Sequence, residues 1–401
     1  MYDNPAQMEP MLPTRFSRAL EASAVDLMRE SAALGGNLAR ITRGSVVELL
    51  RVINSYYSNL IEGHGTRPID IERALRGDYA KEPSKRLRQL ESRAHIEVQR
   101  ALEVRLAEDP SLDLCSVEFL SWLHAQFYSR LPDELLRVEH GGVTALVVPG
   151  ALRTTNVKVG RHLAPLHEHL DAFLRRFHDA YGSRQLSPTQ QILAAAAAHH
   201  RLAWIHPFLD GNGRVARLFT HAYLKRIRLD GHGLWAVSRG FARKRDEYFR
   251  NLEAADEPRR GDLDGRGSLT DAGLAEFCSF FMDTCLDQIR YMRELLDIEG
   301  LQERLLGYVE LSVARRELPK QAAFLLRDVL LRGEVPRGEA ARITGMQERS
   351  ARTVVATLVE RELLKSTSPK GPLQLGFPTR VVPYYFPHLY PAGLEDEMRS
   401  T

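Results

Sequence analysis

Along most of the chain apolar residues recur at every third or fourth position, the period of an α-helix. The pattern predicts helices over residues 16–35 and 44–61, the second stopped by Gly63 and Gly65. From Ser84 to Glu108, residues Leu87, Leu90, Ala94, Val98, Ala101 and Leu102 keep helical spacing. A further helix is predicted over Ser116–Arg130, before Pro132. The pattern changes over Val143–Val159, which is rich in β-branched residues and broken by the turn dipeptide Pro149-Gly150, so a β-hairpin is predicted there. Helical spacing returns near Leu163–Tyr181. Ser187 as cap and Pro188 as first helical residue announce a helix running to Trp204. Helices follow over 214–228, 241–255 and 270–296, with the polar segment Glu257–Ser268 as a loop inside the same domain.

Near Glu317 the chain changes character. Short helices are predicted over 321–332 and 337–344, a turn at Gly345-Met346-Gln347, and a third helix over 348–361. Leu363–Ser366 and Leu373–Phe377 then flank the turn-forming Ser368-Pro369-Lys370-Gly371-Pro372. Helix, helix-turn-helix and hairpin in that order describe a winged helix. Between Pro319 and Arg380 eleven Lys and Arg face six Asp and Glu, a local net charge of +5. Arg349 and Arg352 fall on the expected recognition helix, and Lys365 and Lys370 on the wing, as candidate DNA contacts. The same scaffold also serves dimerisation and protein docking.

Composition narrows the field. With 401 residues the chain has room for two or three domains, and 44% hydrophobic with 27% charged residues is an ordinary globular mix. The 55 basic and 52 acidic residues leave +3, so no polyanion partner is expected for the whole molecule. Three cysteines without a CxxC pair argue against a disulfide framework or a structural zinc, and fit a reducing compartment. The start MYDNPAQMEP is not that of a signal peptide, and the longest apolar run, Ile192–Ala198, is too short to span a bilayer. A cytoplasmic protein without membrane contact is expected.

The chemistry is concentrated in His206-Pro207-Phe208-Leu209-Asp210-Gly211-Asn212-Gly213-Arg214-Val215-Ala216-Arg217. Gly-Asn-Gly lets the backbone approach a ligand, and a helix starts directly after it. The free N–H groups and positive pole of a helix N-terminus suit a phosphate chain. Arg214 and Arg217 share one face of the first turn, and two guanidinium forks there suggest more than one phosphate. A carboxylate beside an anion site, here Asp210, is in place when Mg²⁺ bridges it to the phosphates. His206 can take a proton near neutral pH. Together these groups form a phosphoryl- or nucleotidyl-transfer set.

At all nine specified positions this string resembles the signature of the Fic (filamentation induced by cAMP) family, His-Pro-Phe-x-Asp/Glu-Gly-Asn-Gly-Arg-x-x-Arg. The resemblance implies a mainly α fold, a Fic-type helical bundle with a small β-hairpin flap. It implies transfer of AMP from ATP to a Ser, Thr or Tyr hydroxyl of a target protein, with self-modification as a further outcome. His206 would be the general base and Asp210 the Mg²⁺ ligand. Gly211, Asn212 and Gly213 would form the anion hole, Arg214 would hold the β-phosphate side and Arg217 the γ-phosphate. Phe208 would anchor the loop in the core. Doc-type kinases carry Lys in place of the second loop glycine, so Gly213 favours nucleotidyl transfer.

Upstream, Ser58-Asn59-Leu60-Ile61-Glu62-Gly63 resembles the family's inhibitory motif, Ser/Thr-x-x-x-Glu-Gly/Asn. This implies the subclass with an N-terminal inhibitory helix, in which Glu62, supported by Ser58 and Gly63, pairs with Arg217 and blocks a productive ATP pose. The hairpin Val143–Val159 would be the flap that aligns the target segment, with Arg153, Asn156 and Val157 as contacts. Tyr248 is the candidate neighbour of the adenine ring. The resulting organisation is an N-terminal helical region over 1–110 with the inhibitory helix at 44–62, a catalytic core over 111–300 and a winged helix over 317–390. An alternative function is a DNA-binding regulator whose Fic core senses nucleotide, and a homodimer is a candidate assembly. Gly211–Ala216 also satisfies G-x-G-x-x-A, but no strand precedes it, so a dinucleotide fold is not expected.

Overall fold

The computed structural model describes residues 2–14, 18–36, 38–140, 142–182 and 186–400. Its N-terminal region holds α1 (Arg18–Ala33), α2 (Arg40–Ile61), α3 (Pro68–Leu75) and α4 (Pro83–Glu108). The centre follows with α5 (Val117–Tyr128), the single turn α6 (Asp133–Leu136), α7 (Leu170–Tyr181), α8 (Pro188–Ile205) and α9 (Asn212–Arg226). Next come α10 (Val237–Arg243), α11 (Arg245–Asp256), α12 (Asp271–Leu295) and α13 (Ile298–Ala314). The predicted first helix begins at 16, and residues 16 and 17 lie outside the described residues.

The core is organised around α8. Ala194–Ala198 are completely buried, as are His199, His200 and Arg201 in the next turn, so the helix is surrounded by others. Its small side chains let α7, α9 and α12 approach closely. Ser187 caps its first turn with a reciprocal Gln190 bond, as its sequence predicts.

Two sequence expectations are corrected here. The segment Val143–Val159 is not one hairpin. Strand β1 (Arg137–His140) pairs antiparallel with β2 (Val143–Leu146), and β3 (Lys158–Val159) pairs with β4 (His162–Leu163). Pro149-Gly150 lies in the loop between them. Gly150 has φ +83° and a Cβ there would stand 3.1 Å from both the Ala125 Cβ and the Ser121 carbonyl, so this glycine serves a close approach to α5 rather than a hairpin tip. The helix predicted over 241–255 is two helices, α10 and α11, which meet at Lys244.

The C-terminal segment has the predicted order of elements plus one additional strand. It comprises α14 (Ala322–Arg332), β5 (Glu334–Val335), α15 (Ala340–Thr344), α16 (Glu348–Glu360), β6 (Leu364–Lys365) and β7 (Leu373–Leu375). The three strands form an antiparallel sheet in the order β5-β7-β6. After it α17 (Val382–Tyr385) and α18 (Ala392–Ser400) return the chain to the N-terminal helices. There the Tyr57 hydroxyl donates to the Leu389 carbonyl at 2.9 Å, and Arg239 donates to the carbonyls of His388 and Leu389.

Candidate active site

The site is built where α8 ends and α9 begins. His206 closes α8 in left-handed backbone, φ 53° and ψ 59°, which turns the chain sharply out of the helix. Phe208, fully buried, stacks on the His124 ring at 4.2 Å and pins the loop to α5. Asn212 staples the loop internally. Its Oδ1 accepts from the Phe208 N–H at 2.9 Å, and its Nδ2 donates to the Phe208 carbonyl at 2.8 Å. The Asn212 side chain therefore shapes the Gly211–Gly213 turn from behind. Gly211 begins α9 with φ +79°, and a Cβ there would collide with the Tyr128 ring at 2.6 Å. The first N–H groups of α9 have no partner within the helix and face the loop.

Burial pushes the His206 imidazole down to about 4, so it is neutral at pH 7. Its Nδ1 lies 3.3 Å from the Ala203 carbonyl, which places the ring proton on Nδ1 and leaves the Nε2 lone pair free. The Asp210 carboxylate accepts from the Tyr128 hydroxyl at 2.5 Å and lies 3.4 Å from Arg214. Burial pushes its pKa up, but Arg214 and the Tyr128 bond hold it below the usual range.

Glu62 and Arg217 meet. The Arg217 Nη2 donates to Glu62 Oε1 at 2.5 Å and to the Ser58 carbonyl at 3.0 Å, while its Nε donates to the Ser58 hydroxyl at 2.9 Å. Gly63, with φ +84°, turns the chain immediately after Glu62. The Glu62 carboxylate reaches across the loop, since a Cβ on Gly213 would stand 2.4 Å from its Oε1. Burial raises the Glu62 pKa, and the Arg217 and Arg214 guanidiniums more than reverse that, so the carboxylate is ionised at neutral pH.

A cavity of about 740 Å³ opens beside this loop, lined among others by His206, Gly213, Arg217, Tyr248, Trp204 and Glu62. Tyr248 is on its wall, stacked on Phe241 at 4.4 Å and bonded to His199 at 2.8 Å.

Of the expected flap contacts, Arg153 and Val157 are buried and Asn156 is exposed. Arg153 is buried, and its guanidinium donates to the carbonyls of His206, Thr155 and Pro165. It braces the motif loop from inside and is not presented to a target. Val157 is buried, and Asn156 accepts from the His167 N–H at 3.0 Å. In the C-terminal segment Arg349 and Arg352 are exposed on α16, with Arg352 paired to Glu348 at 3.0 Å, and Lys370 is exposed in the β6–β7 turn. Lys365 is exposed at the rim of a groove it shares with α2.

Sequence reasoning missed four residues that shape the site. Tyr128 and His124 fix the loop from α5, and the Gly150 N–H donates to His124 Nδ1 at 2.8 Å. Glu91 accepts from Arg214 Nη1 at 2.8 Å and from His64 at 3.0 Å. Its signal was available, because Glu91 falls on the apolar stripe of α4 between Leu87 and Ala94, where a charge needs a partner.

Comparison with known proteins agrees with this architecture. The Fic/DOC family model matches residues 114–224. The Protein adenylyltransferase Fic of Drosophila grimshawi is 34% identical over 114 residues, 28% of this chain and 22% of that protein. That of Nematostella vectensis is 32% identical over 174 residues, 43% of this chain and 36% of that protein. The chain thus spans well under half of these relatives. The crystal structure of a Fic family protein from Desulfovibrio desulfuricans G20 shares the fold over 91% of this chain and 98% of its own, with TM-score 0.53 and 18% identity. Over residues 114–224 the chain is thus similar to the Fic/DOC family.

Proposed function

We propose that the protein transfers AMP from ATP to a hydroxyl of a target protein, and that its N-terminal helix α2 holds it in a restrained state. The observation that carries the reading is the Glu62 carboxylate, bonded to Arg217 at 2.5 Å and lying over Gly213. A γ-phosphate and Glu62 cannot share that edge of Arg217. The polar loop, the two arginines and the adjoining cavity supply a triphosphate with donors and a nucleoside with room. Tyr248 provides an aromatic wall for the base.

His206 Nε2 takes the proton of the attacking Ser, Thr or Tyr hydroxyl. The hydroxyl oxygen bonds to the α-phosphorus while the bond to pyrophosphate breaks. The N–H groups of the loop and Arg214 receive the charge that develops on the phosphates. Asp210 fits a Mg²⁺ ligand. It is a single ionised carboxylate, 42% exposed, beside the anion cradle, and Mg²⁺ commonly takes one or two carboxylates with phosphates and water for the rest. When bound, Mg²⁺ would neutralise phosphate charge there.

The test is labelled-AMP incorporation from ATP and Mg²⁺ by the Glu62→Gly chain, with and without His206→Ala. His206→Ala should lower incorporation about 10² to 10⁴-fold with an unchanged melting temperature. Undiminished labelling would remove His206 as the base.

A further inference from the structure

Both motif arginines are already paired with carboxylates from the N-terminal region, but the two pairs differ in kind. Glu62 meets Arg217 from above the loop, a third exposed, against Gly213. Glu91 meets Arg214 from α4 and is buried, with only 5% of its side chain exposed. Its carboxylate takes Nη1 of Arg214, whose guanidinium lies over the Phe127 ring at 4.8 Å. Arg214 Nη2 points instead toward Asp210 and Tyr128, at 3.4 and 3.5 Å, and so stays on the loop side with only long contacts. The second anchor of Glu91 is His64 Nδ1, 3.0 Å from Oε2, and the His64 N–H is itself bonded to the Asn59 carbonyl at the end of α2.

We propose that Glu91 is the positioning residue for Arg214: it holds one edge of the guanidinium against α4 so that the other edge faces the β-phosphate of a bound nucleotide, and His64 braces Glu91 in turn. A guanidinium has five donors in a rigid fork, so a carboxylate behind and a phosphate in front can be held together. Glu91 also neutralises a buried cation that otherwise stands close to a second one, Arg217. The inference rests on the nucleotide reading above.

The test uses ADP and AMP, which differ in the β-phosphate, titrated calorimetrically into the Glu62→Gly chain and into the same chain carrying Glu91→Ala, Glu91→Gln or His64→Ala. Glu91→Ala should weaken ADP binding about tenfold to a hundredfold while AMP binding changes less than about twofold. Glu91→Gln keeps an acceptor for Nη1 and should recover part of the ADP affinity. His64→Ala, at a half-exposed position, should show a smaller loss with the same contrast between ligands. Equal losses for ADP and AMP, or unchanged ADP binding, would overturn the assignment. A Glu62→Gly parent that binds neither ligand would overturn the nucleotide reading and this inference with it. A parent that binds ADP beside an unaffected Glu91→Ala variant would overturn this inference alone.

Discussion

At His206 a helix end, a left-handed backbone and burial of the imidazole coincide. Burial lowers its pKa to about 4, so the neutral ring needed by a base is present well below pH 6.5. An unshifted histidine would be about nine-tenths protonated at pH 5.5 and would lose about tenfold in kcat/KM relative to pH 7.5. For the Glu62→Gly chain we therefore expect kcat/KM at pH 5.5 to stay within about threefold of its value at pH 7.5. A tenfold fall over that interval would show an ordinary imidazole. At this scale the motif residues were legible, because nine fixed positions leave little to interpret. Arg153 was misread for a physical reason. Spacing alone does not reveal burial, and its guanidinium turns inward to three carbonyls.

Helix α2 links the two ends of the chain. Its last turn carries Ser58 and Glu62, and the preceding residue Tyr57 is bonded to Leu389 in the returning C-terminal segment. Tyr56 packs edge-on against Tyr390 at 5.2 Å, and Arg245 donates to the Ile61 carbonyl at 3.1 Å. The C-terminal segment thus clamps the helix that places Glu62. Tyr57→Phe removes one buried hydrogen bond and should cost about 0.5–1.5 kcal/mol. Through the clamp it should also raise basal AMP incorporation about twofold to tenfold in the otherwise native chain, and not at all in the Glu62→Gly chain. Melting curves and labelling of both pairs check this, and a lower melting temperature with unchanged labelling would confine the bond to stability. The strongly periodic helices were legible from sequence. The paired hairpins were not, since Pro149-Gly150 reads as a turn whether it tips a hairpin or docks on α5. Nor were α13, α17 and α18 foreseen; the last two are short, and α17 is held from α13 by the Arg304 bond to the Tyr385 carbonyl.

Across the whole molecule, the N-terminal helices and the central bundle meet at one loop, while the C-terminal segment packs behind α2. Two carboxylates from outside residues 114–224, Glu62 and Glu91, occupy the arginines of the family motif. Pairings between residues 155 and 123 positions apart lie beyond any local pattern, so the sequence pointed to Glu62 only through its motif and to Glu91 only as a misplaced charge. The central claim is that Glu62 restrains an otherwise complete transferase. Its most direct test compares labelled-AMP incorporation by the native and Glu62→Gly chains at equal ATP and Mg²⁺. Losing one charge-assisted bond of this kind is worth about 1.5–3 kcal/mol, so Glu62→Gly should label itself or a target more than tenfold faster. Equal rates for the two chains would contradict the account.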